Sequence, residues 1–250
     1  MRHAKKWLAF VALCVAASLP QAAPVFDRDE DEVIARSLTA MLRAARTVVS
    51  RNQALINDPT QGDKGLTGKK VLADALVVYK ETTQIDPKTI IGGTKHGRLF
   101  KAQQDAVVEV IDANQDTINQ KGVAFKGFIP STFGRLLNEA FARRVSDVAV
   151  MKVTAPEVLI RNRKSRPDDW ESKVIRDKLM ASDWPKGQMF TEMSPAMGRT
   201  AMRFASPEYY AASCLSCHGG PKGQVDITGY PKEGGNEGDL GGVISVTMFN

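Results

Sequence analysis

Cysteine and histidine are scarce in this chain of 250 residues, which has three of each. They are His3, His96, His218, Cys14, Cys214 and Cys217. A closed structural zinc site takes four protein ligands, most often of these two types. Beyond the N-terminal segment, only His96 could join Cys214, Cys217 and His218, and it stands in no matching motif. A structural zinc site is therefore the weaker interpretation.

Long apolar runs and familiar catalytic motifs are also missing. After the N-terminal segment no stretch approaches eighteen consecutive apolar residues, so no membrane span is predicted there. The sequence has no nucleophile elbow, phosphate-binding loop or metalloprotease motif, so we expect no hydrolase or transferase activity and no enzyme. Basic residues are scattered rather than aligned on one face, and nucleic-acid binding is not expected.

The N-terminal segment is typical of a secretory signal peptide. Three basic residues precede an eleven-residue apolar run, Trp7 to Ala17, which is too short to span a bilayer. Cleavage after Ala23 would remove three of the 34 basic residues, none of the 28 acidic residues, and Cys14, which lowers the net charge from +6 to +3. We expect residues 1–23 to be a signal peptide, 24–250 to form a single domain, and the protein to be periplasmic.

Hydrophobic periodicity predicts a helical N-terminal part, residues 24–123, and an α+β part, residues 124–250. Apolar residues three and four positions apart predict helices at 29–57, 68–83 and 98–120. A fourth helix is predicted to reach Val145, with Ser131 or Thr132 as its N-cap. Strands are predicted at 148–153, 188–192, 200–204 and 243–249, with a short helix at 170–180. The predicted fold class is α+β.

The run Cys214-Leu215-Ser216-Cys217-His218 is the most informative motif. Two thiols at this spacing, followed at once by a histidine, are what covalent attachment of a c-type haem requires. Each sulfur can add to one vinyl group of the porphyrin, and the histidine is then held beneath the iron. We predict one covalent haem c on Cys214 and Cys217, with His218 as the proximal iron ligand.

A Cys-x-x-Cys pair also serves as half a zinc site, a dithiol redox centre or a plain disulfide. A thioredoxin-like redox site is expected soon after an early strand, whereas Cys217 lies 33 residues before the last residue. A structural or redox disulfide between Cys214 and Cys217 is the main alternative to haem.

Several segments from about residue 124 onward form an ordered set of motifs. They are Phe128-Ile129-Pro130, Lys152-Val153-Thr154, the run from Arg161 to Glu171, the run from Cys214 to Pro221, Gly229-Tyr230-Pro231, and the run from Gly238 to Val246. In this set the chain resembles the extracytoplasmic haem c domains with a PAS-like fold, which precede histidine kinases and chemoreceptors and also occur as free-standing exported proteins.

The resemblance implies a five-stranded antiparallel sheet with flanking helices, a haem against the sheet, and sensing of redox state or of a small ligand such as a diatomic gas. Receptors of that family continue into a membrane helix and an output domain, whereas this sequence stops at Asn250. We expect a sensor of this kind to report to a separate redox or signalling partner in the periplasm. Long amphipathic helices often pair between subunits, so a homodimer is a further expectation.

The sequence offers several candidates for the sixth iron ligand. His96 is the only other histidine after the signal peptide, and imidazole is a strong iron ligand. Met41 on the first predicted helix is the second candidate, followed by Met193, Met197 and open or water-bound iron. Some relatives use a cysteine there, but none remains once Cys14 is removed.

The densest basic cluster contains Arg161 and Arg163. Haem carries two propionates that need neutralising when they are partly buried, and we predict that these two arginines contact them. The alternative is an ordinary solvated loop.

Two functions of different classes fit these observations. The first is redox or small-ligand sensing by a periplasmic monohaem c protein. The second is electron transfer by a periplasmic cytochrome c. A mature length of 227 residues is large for a monohaem electron carrier, which weakens this alternative. A four-helix haem bundle is a minor alternative. Such bundles usually end soon after the attachment motif, whereas 32 residues, including a predicted strand, follow His218 here.

Overall fold

The computed structural model describes residues 27–249. The predicted signal peptide, with Cys14, lies outside the described residues. Within the described range, no helix combines the length and the apolar character that a membrane crossing needs.

The first part of the described chain is helical, as predicted. Its helices are α1 (Arg28–Arg51), α2 (Gln53–Ile56), α3 (Gly68–Thr83), α4 (Lys95–Ala113), α5 (Gln115–Ile118) and α6 (Pro130–Val145). The predicted helix at 68–83 is confirmed at both ends. Its start is fixed by Thr67, whose side chain accepts a hydrogen bond from the Lys70 amide and caps α3.

Two predicted helices are each divided by an asparagine. Asn52 separates α1 from α2, and Asn114 separates α4 from α5. Each asparagine donates its side-chain amide to the carbonyl four residues earlier, at 2.8 Å for Val48 and 2.7 Å for Val110. A side chain that competes in this way for backbone groups interrupts a helix that the apolar pattern alone would continue.

The predicted N-cap of the fourth helix is wrong. The helix α6 starts at Pro130, its N-cap residue is Ile129, and no side chain accepts a hydrogen bond there. Proline suits the first helical position because its fixed φ matches a helix and its missing N–H would have no helical partner. Ser131 and Thr132 therefore lie inside the helix.

The second part of the chain forms one antiparallel sheet. Its strands are β1 (Ala149–Thr154), β2 (Phe190–Met193), β3 (Ala201–Tyr209) and β4 (Leu240–Phe249). Their order across the sheet is β1-β4-β3-β2, and every neighbouring pair is antiparallel. The α+β class with a helical N-terminal half is thereby confirmed.

The resemblance implied a sheet of five strands, and this expectation is wrong for residues 27–249, in which the sheet has four strands. Residues between β1 and β2 form short 3₁₀ turns, the helix α7 (Asp169–Val174) and a π-helical turn, Ile175–Leu179. The glycine-rich loop between β3 and β4 contributes only an isolated bridge, Val225 with Pro231. Glycine and proline in that loop favour turns over a further strand.

The sheet is covered on both faces. Ile244, Val246 and Met248 of β4 belong to the large core formed with the N-terminal helices. Their neighbour Val243 belongs to a second cluster on the opposite face, with residues of α7 and of the turn that follows it. Successive residues of a strand point to opposite faces, so β4 contributes to both cores.

An ion-pair network fixes α7 on the outer face of the sheet. Buried Arg203 of β3 donates to Asp168 at 2.6 Å, and its guanidinium lies over the Trp170 ring, 4.2 Å from the centroid. Glu171 forms a reciprocal capping box with Asp168 and an ion pair of 2.5 Å with Lys152 of β1. This part of the Arg161-to-Glu171 motif therefore attaches a helix to the sheet.

A second link joins α1 to the end of β3. Glu208 accepts hydrogen bonds from Arg43 Nε at 2.6 Å and from Arg46 Nη1 at 3.1 Å. Arg43 also donates to the Pro207 carbonyl at 3.0 Å. We call these three side chains the α1–β3 clamp. It connects the helical half to the strand that leads directly into the Cys-x-x-Cys-His motif.

Candidate functional site

The Cys-x-x-Cys-His motif follows β3 on a short helical segment. Residues Ala212–Cys214 form a 3₁₀ turn, and Leu215–His218 form one turn of helix, α8. Both Cys214 and Cys217 are partly buried free thiols rather than halves of a disulfide. The turn presents the two thiols and the imidazole from adjacent positions of one short segment.

The imidazole of His218 is held from two directions. Its Nδ1 lies 2.9 Å from Oε2 of Glu233, and its ring stacks on the Tyr210 ring with centroids 5.1 Å apart and planes 17° apart. The carbonyl of His218 also accepts a hydrogen bond of 2.8 Å from the Gly235 amide. Because an ionised carboxylate can only accept, Nδ1 carries the proton, and Nε2 is the ring nitrogen left to bind a metal.

Arg161 ties the motif to two loop carboxylates. Its Nε and Nη2 donate to the two oxygens of Glu233 at 2.8 and 3.0 Å, which makes a bidentate pair. Its Nη1 donates to Asp226 at 2.7 Å, and Nη2 also donates to the Cys217 carbonyl at 2.9 Å. One guanidinium thus connects the Cys-x-x-Cys-His motif with the loop that carries Glu233.

Both carboxylates of this network are held in the charged form. Burial opposes ionisation of Asp226, but hydrogen bonds from Thr228 and Arg161 outweigh it and keep the pKa of Asp226 well below its usual range. Burial likewise opposes ionisation of Glu233, but hydrogen bonds from Arg161 and His218 leave its pKa below the usual value. The side chain of Asp226 is fully buried, so Arg161 is its essential counter-charge.

Two glycines make room for the Tyr210 ring. A Cβ at Gly241 would lie 2.2 Å from the Tyr210 ring, and a Cβ at Gly235 would lie 2.6 Å from its other edge. The Tyr210 hydroxyl is buried without a hydrogen-bond partner among the described residues, and burial raises the pKa of Tyr210 to about 12. The ring that stacks on His218 is therefore fixed by close backbone contact.

We predict that Gly241→Ala destabilises the protein by about 1–3 kcal/mol, because the added methyl overpacks the site against the Tyr210 ring. Gly92→Ala is the matched control, since a Cβ at Gly92 meets nothing within 4 Å. Urea unfolding monitored by circular dichroism measures both variants. Equal midpoints for the two variants would contradict the close approach of Gly241 and Tyr210.

The two arginines predicted to contact propionates differ in position. The Arg161 guanidinium is engaged with Glu233, Asp226 and the motif backbone, so its contacts in the structure are carboxylates of the chain itself. Arg163 is exposed in the 3₁₀ turn Arg163–Ser165. The structure brings Arg161 to the motif and shows no such contact for Arg163 among residues 27–249. The propionate role of both stays a prediction.

His96 makes no described contact with the Cys-x-x-Cys-His motif. It follows Lys95, which pairs at 2.7 Å with Asp31 near the start of α1, whereas the α1–β3 clamp begins at Arg43. Arg43 lies twelve positions after Asp31 along α1, a distance of about 18 Å at 1.5 Å per residue. Burial lowers the pKa of His96, and its Nε2 has no partner in the described part of the chain. These contacts place His96 near the start of α1, and no described contact joins it to His218.

Met41 faces the helical layer. It is fully buried and lies one turn after Ser37, whose hydroxyl is 3.0 Å from the Tyr79 hydroxyl of α3. Residues four apart share a face of a helix, so Met41 points toward α3. Met193 and Met197 are largely exposed. The sixth-ligand role of His96 and of Met41 stays a prediction, and no described contact places either at the motif.

The donor set of the motif fits haem c. Two unpaired thiols adjoin a histidine whose Nδ1 is occupied and whose Nε2 remains for iron. A closed zinc site would need a cluster of ligands, and residues 27–249 contain no group of three or more His, Cys, Asp or Glu side chains arranged to hold a metal ion. Covalent haem needs only one protein ligand beneath the iron.

The fold and the motif together define an α+β domain with a helical N-terminal half and a Cys-x-x-Cys-His motif after its third strand. A model of the Tll0287-like family matches residues 28–248, and the chain therefore belongs to this family of PAS-like sensor domains. The match includes the N-terminal helices as well as the sheet and the motif. A search of curated proteins and a search of solved structures each gave no significant match.

Proposed function

We propose that the protein is an exported haem c sensor without catalytic activity, in which Cys214 and Cys217 hold one haem covalently and His218 is the proximal ligand. The observation that carries this proposal is the state of the motif. Both thiols are free, and the His218 ring is anchored through Nδ1 with Nε2 left for iron. Bound haem would supply an iron centre that changes oxidation state or takes a diatomic ligand.

The residues around the motif would hold the proximal ligand rigidly. Glu233 fixes the orientation of His218, Tyr210 supports one face of its ring, and Arg161 fixes Glu233. Outer partners of this kind set the tautomer and basicity of a ligating histidine. Movement at the iron would then have to be transmitted by the chain on either side of the motif.

The α1–β3 clamp is the route that we propose for that transmission. Glu208 lies six residues before Cys214 and binds two arginines of the 24-residue helix α1. A shift of the motif that moves the end of β3 would therefore act on α1. In this proposal a separate periplasmic redox or signalling protein reads the position of α1, which is consistent with membership of a PAS-like sensor family.

Visible absorption of the haem-loaded protein, oxidised and reduced, with and without carbon monoxide, tests this function. We expect a high-spin or carbon-monoxide-responsive spectrum, because binding of a diatomic ligand, or exchange of the sixth ligand on a change of oxidation state, needs an open or displaceable sixth position. A low-spin spectrum that ignores carbon monoxide would show two tight ligands and favour the alternative, an electron-transfer cytochrome c.

We predict that α1 amides exchange hydrogen at different rates in the oxidised and reduced protein, and that Glu208→Gln abolishes most of this difference. The substitution removes the charge that Arg43 and Arg46 share. Glu32→Gln breaks a comparable ion pair within α1, with Arg36, and should leave the difference intact. Identical exchange in the two oxidation states of the wild type would rule out this route.

A further inference from the structure

We propose that Glu233 is a positioning residue that lowers the reduction potential of the haem iron through its hydrogen bond with His218. The inference rests on the proposed function, because it assumes that His218 binds iron. It adds a residue that lies outside the Cys-x-x-Cys-His motif and that no feature of the sequence singled out.

The geometry holds Glu233 and His218 together at two points. The Nδ1 of His218 is 2.9 Å from Oε2 of Glu233, and the His218 carbonyl accepts from the Gly235 amide at 2.8 Å. The second contact joins the backbones of the same two segments, two residues from Glu233. Rotation of the imidazole would break the first bond, so the direction of Nε2 is fixed by the loop.

The acceptor in this bond is a charged carboxylate rather than a backbone carbonyl. A carboxylate draws the Nδ1 proton toward itself, which increases the negative charge on the ring and the basicity of Nε2. A more basic ligand stabilises ferric iron more than ferrous iron. Second-sphere hydrogen bonding of this kind is one of the means by which a protein sets haem potential.

Arg161 moderates this effect without cancelling it. Its guanidinium binds both oxygens of Glu233, and it also binds Asp226, whose side chain is fully buried. One positive charge thus faces two negative charges, which leaves one net negative charge next to the imidazole. The same contacts prevent Glu233 from swinging away from His218. The network therefore keeps a charged acceptor on Nδ1 and favours the oxidised iron.

Glu233→Gln tests the inference, because it keeps the size of the side chain and a hydrogen-bond acceptor and removes the charge. We expect the ratio of ferric to ferrous protein at a fixed potential to fall at least tenfold, which is a rise of about 59 mV for one electron. Spectroelectrochemical titration measures the midpoint potential. Glu237→Gln, an exposed residue of the same loop, is the matched control and should leave the midpoint unchanged.

Glu233→Asp provides a second variant, since it keeps the charge but shortens the side chain. We expect a smaller rise, because a longer hydrogen bond polarises the ring less. If Glu233→Gln does not fold, the aspartate variant decides the question. An unchanged midpoint potential in haem-loaded Glu233→Gln overturns the inference and leaves the proposed function standing. If only Glu233→Asp folds, an unchanged midpoint potential in that variant has the same meaning. A wild-type protein that binds no haem overturns both.

Discussion

We expect that replacing Cys214 and Cys217 together with serine will leave the protein with no covalent haem. A hydroxyl does not form the thioether bond to a vinyl group, so any haem that remains is extractable into acidified organic solvent. The motif residues belong to neither hydrophobic core cluster, so circular dichroism of the variant should still show the helical half. Haem-dependent peroxidase staining of a denaturing gel measures the covalent fraction.

Ser216→Ala is the control for this variant. Within residues 27–249 the Ser216 hydroxyl contacts only the Ser213 carbonyl, at 3.3 Å, and Cys217 Sγ, at 3.8 Å. We expect full covalent haem in this control. Covalent haem in the double serine variant would mean that the attachment site lies elsewhere in the chain.

Arg161→Met is expected to destabilise the protein by about 3–5 kcal/mol, because it leaves two buried or mostly buried carboxylates without their counter-charge. The Asp226 side chain is fully buried, and that of Glu233 is 16% exposed. Arg161→Lys should restore only part of the loss, since an ammonium cannot reproduce the bidentate pair. Urea unfolding at neutral pH gives the free energies.

Arg163→Met is the matched control, because Arg163 lies two residues away and is exposed. Its free energy of unfolding should stay within about 0.5 kcal/mol of the wild type. Equal stability of Arg161→Met and Arg163→Met would show that the Arg161 network does not form in solution.

The stability that Arg161 supplies should also depend on pH. The folded-state pKa of Asp226 is lower than its unfolded value, so the contribution of this pair is complete above the ordinary pKa of an aspartate. It is lost as the pH falls toward the folded-state pKa. The stability difference between wild type and Arg161→Met should therefore shrink on acidification, as urea titrations at a series of pH values would show.

The helices and strands could be predicted largely from local pattern, and the exceptions have specific causes. The strand at 200–204 actually continues to Tyr209, although Pro207 reads as a strand breaker. The neighbouring strand β2 begins at Phe190, opposite Ala205, and pairs only with the part of β3 before Pro207. Pro207 therefore lies where β3 has no partner on that side. Proline is tolerated at such an edge, and only the pairing of the whole sheet reveals it.

The motif itself could be predicted from spacing, whereas the groups around it could not. Glu233 and Asp226 lie in a loop without hydrophobic periodicity, and Glu233 is fifteen residues from His218. Arg161 was identifiable as part of a basic cluster, but charge alone does not distinguish a haem propionate from a loop carboxylate as its partner. The close approach of Gly235 and Gly241 to one ring likewise depends on how the loop folds back.

Covalent attachment of one haem to Cys214 and Cys217 can be measured by the intact mass of the denatured wild-type protein, produced with the c-type haem maturation machinery and exported. We expect the mass of the processed polypeptide plus one haem, with the haem retained after denaturation and absent from the double serine variant. A polypeptide mass without haem, or one lower by two hydrogens because Cys214 and Cys217 have formed a disulfide, would contradict it.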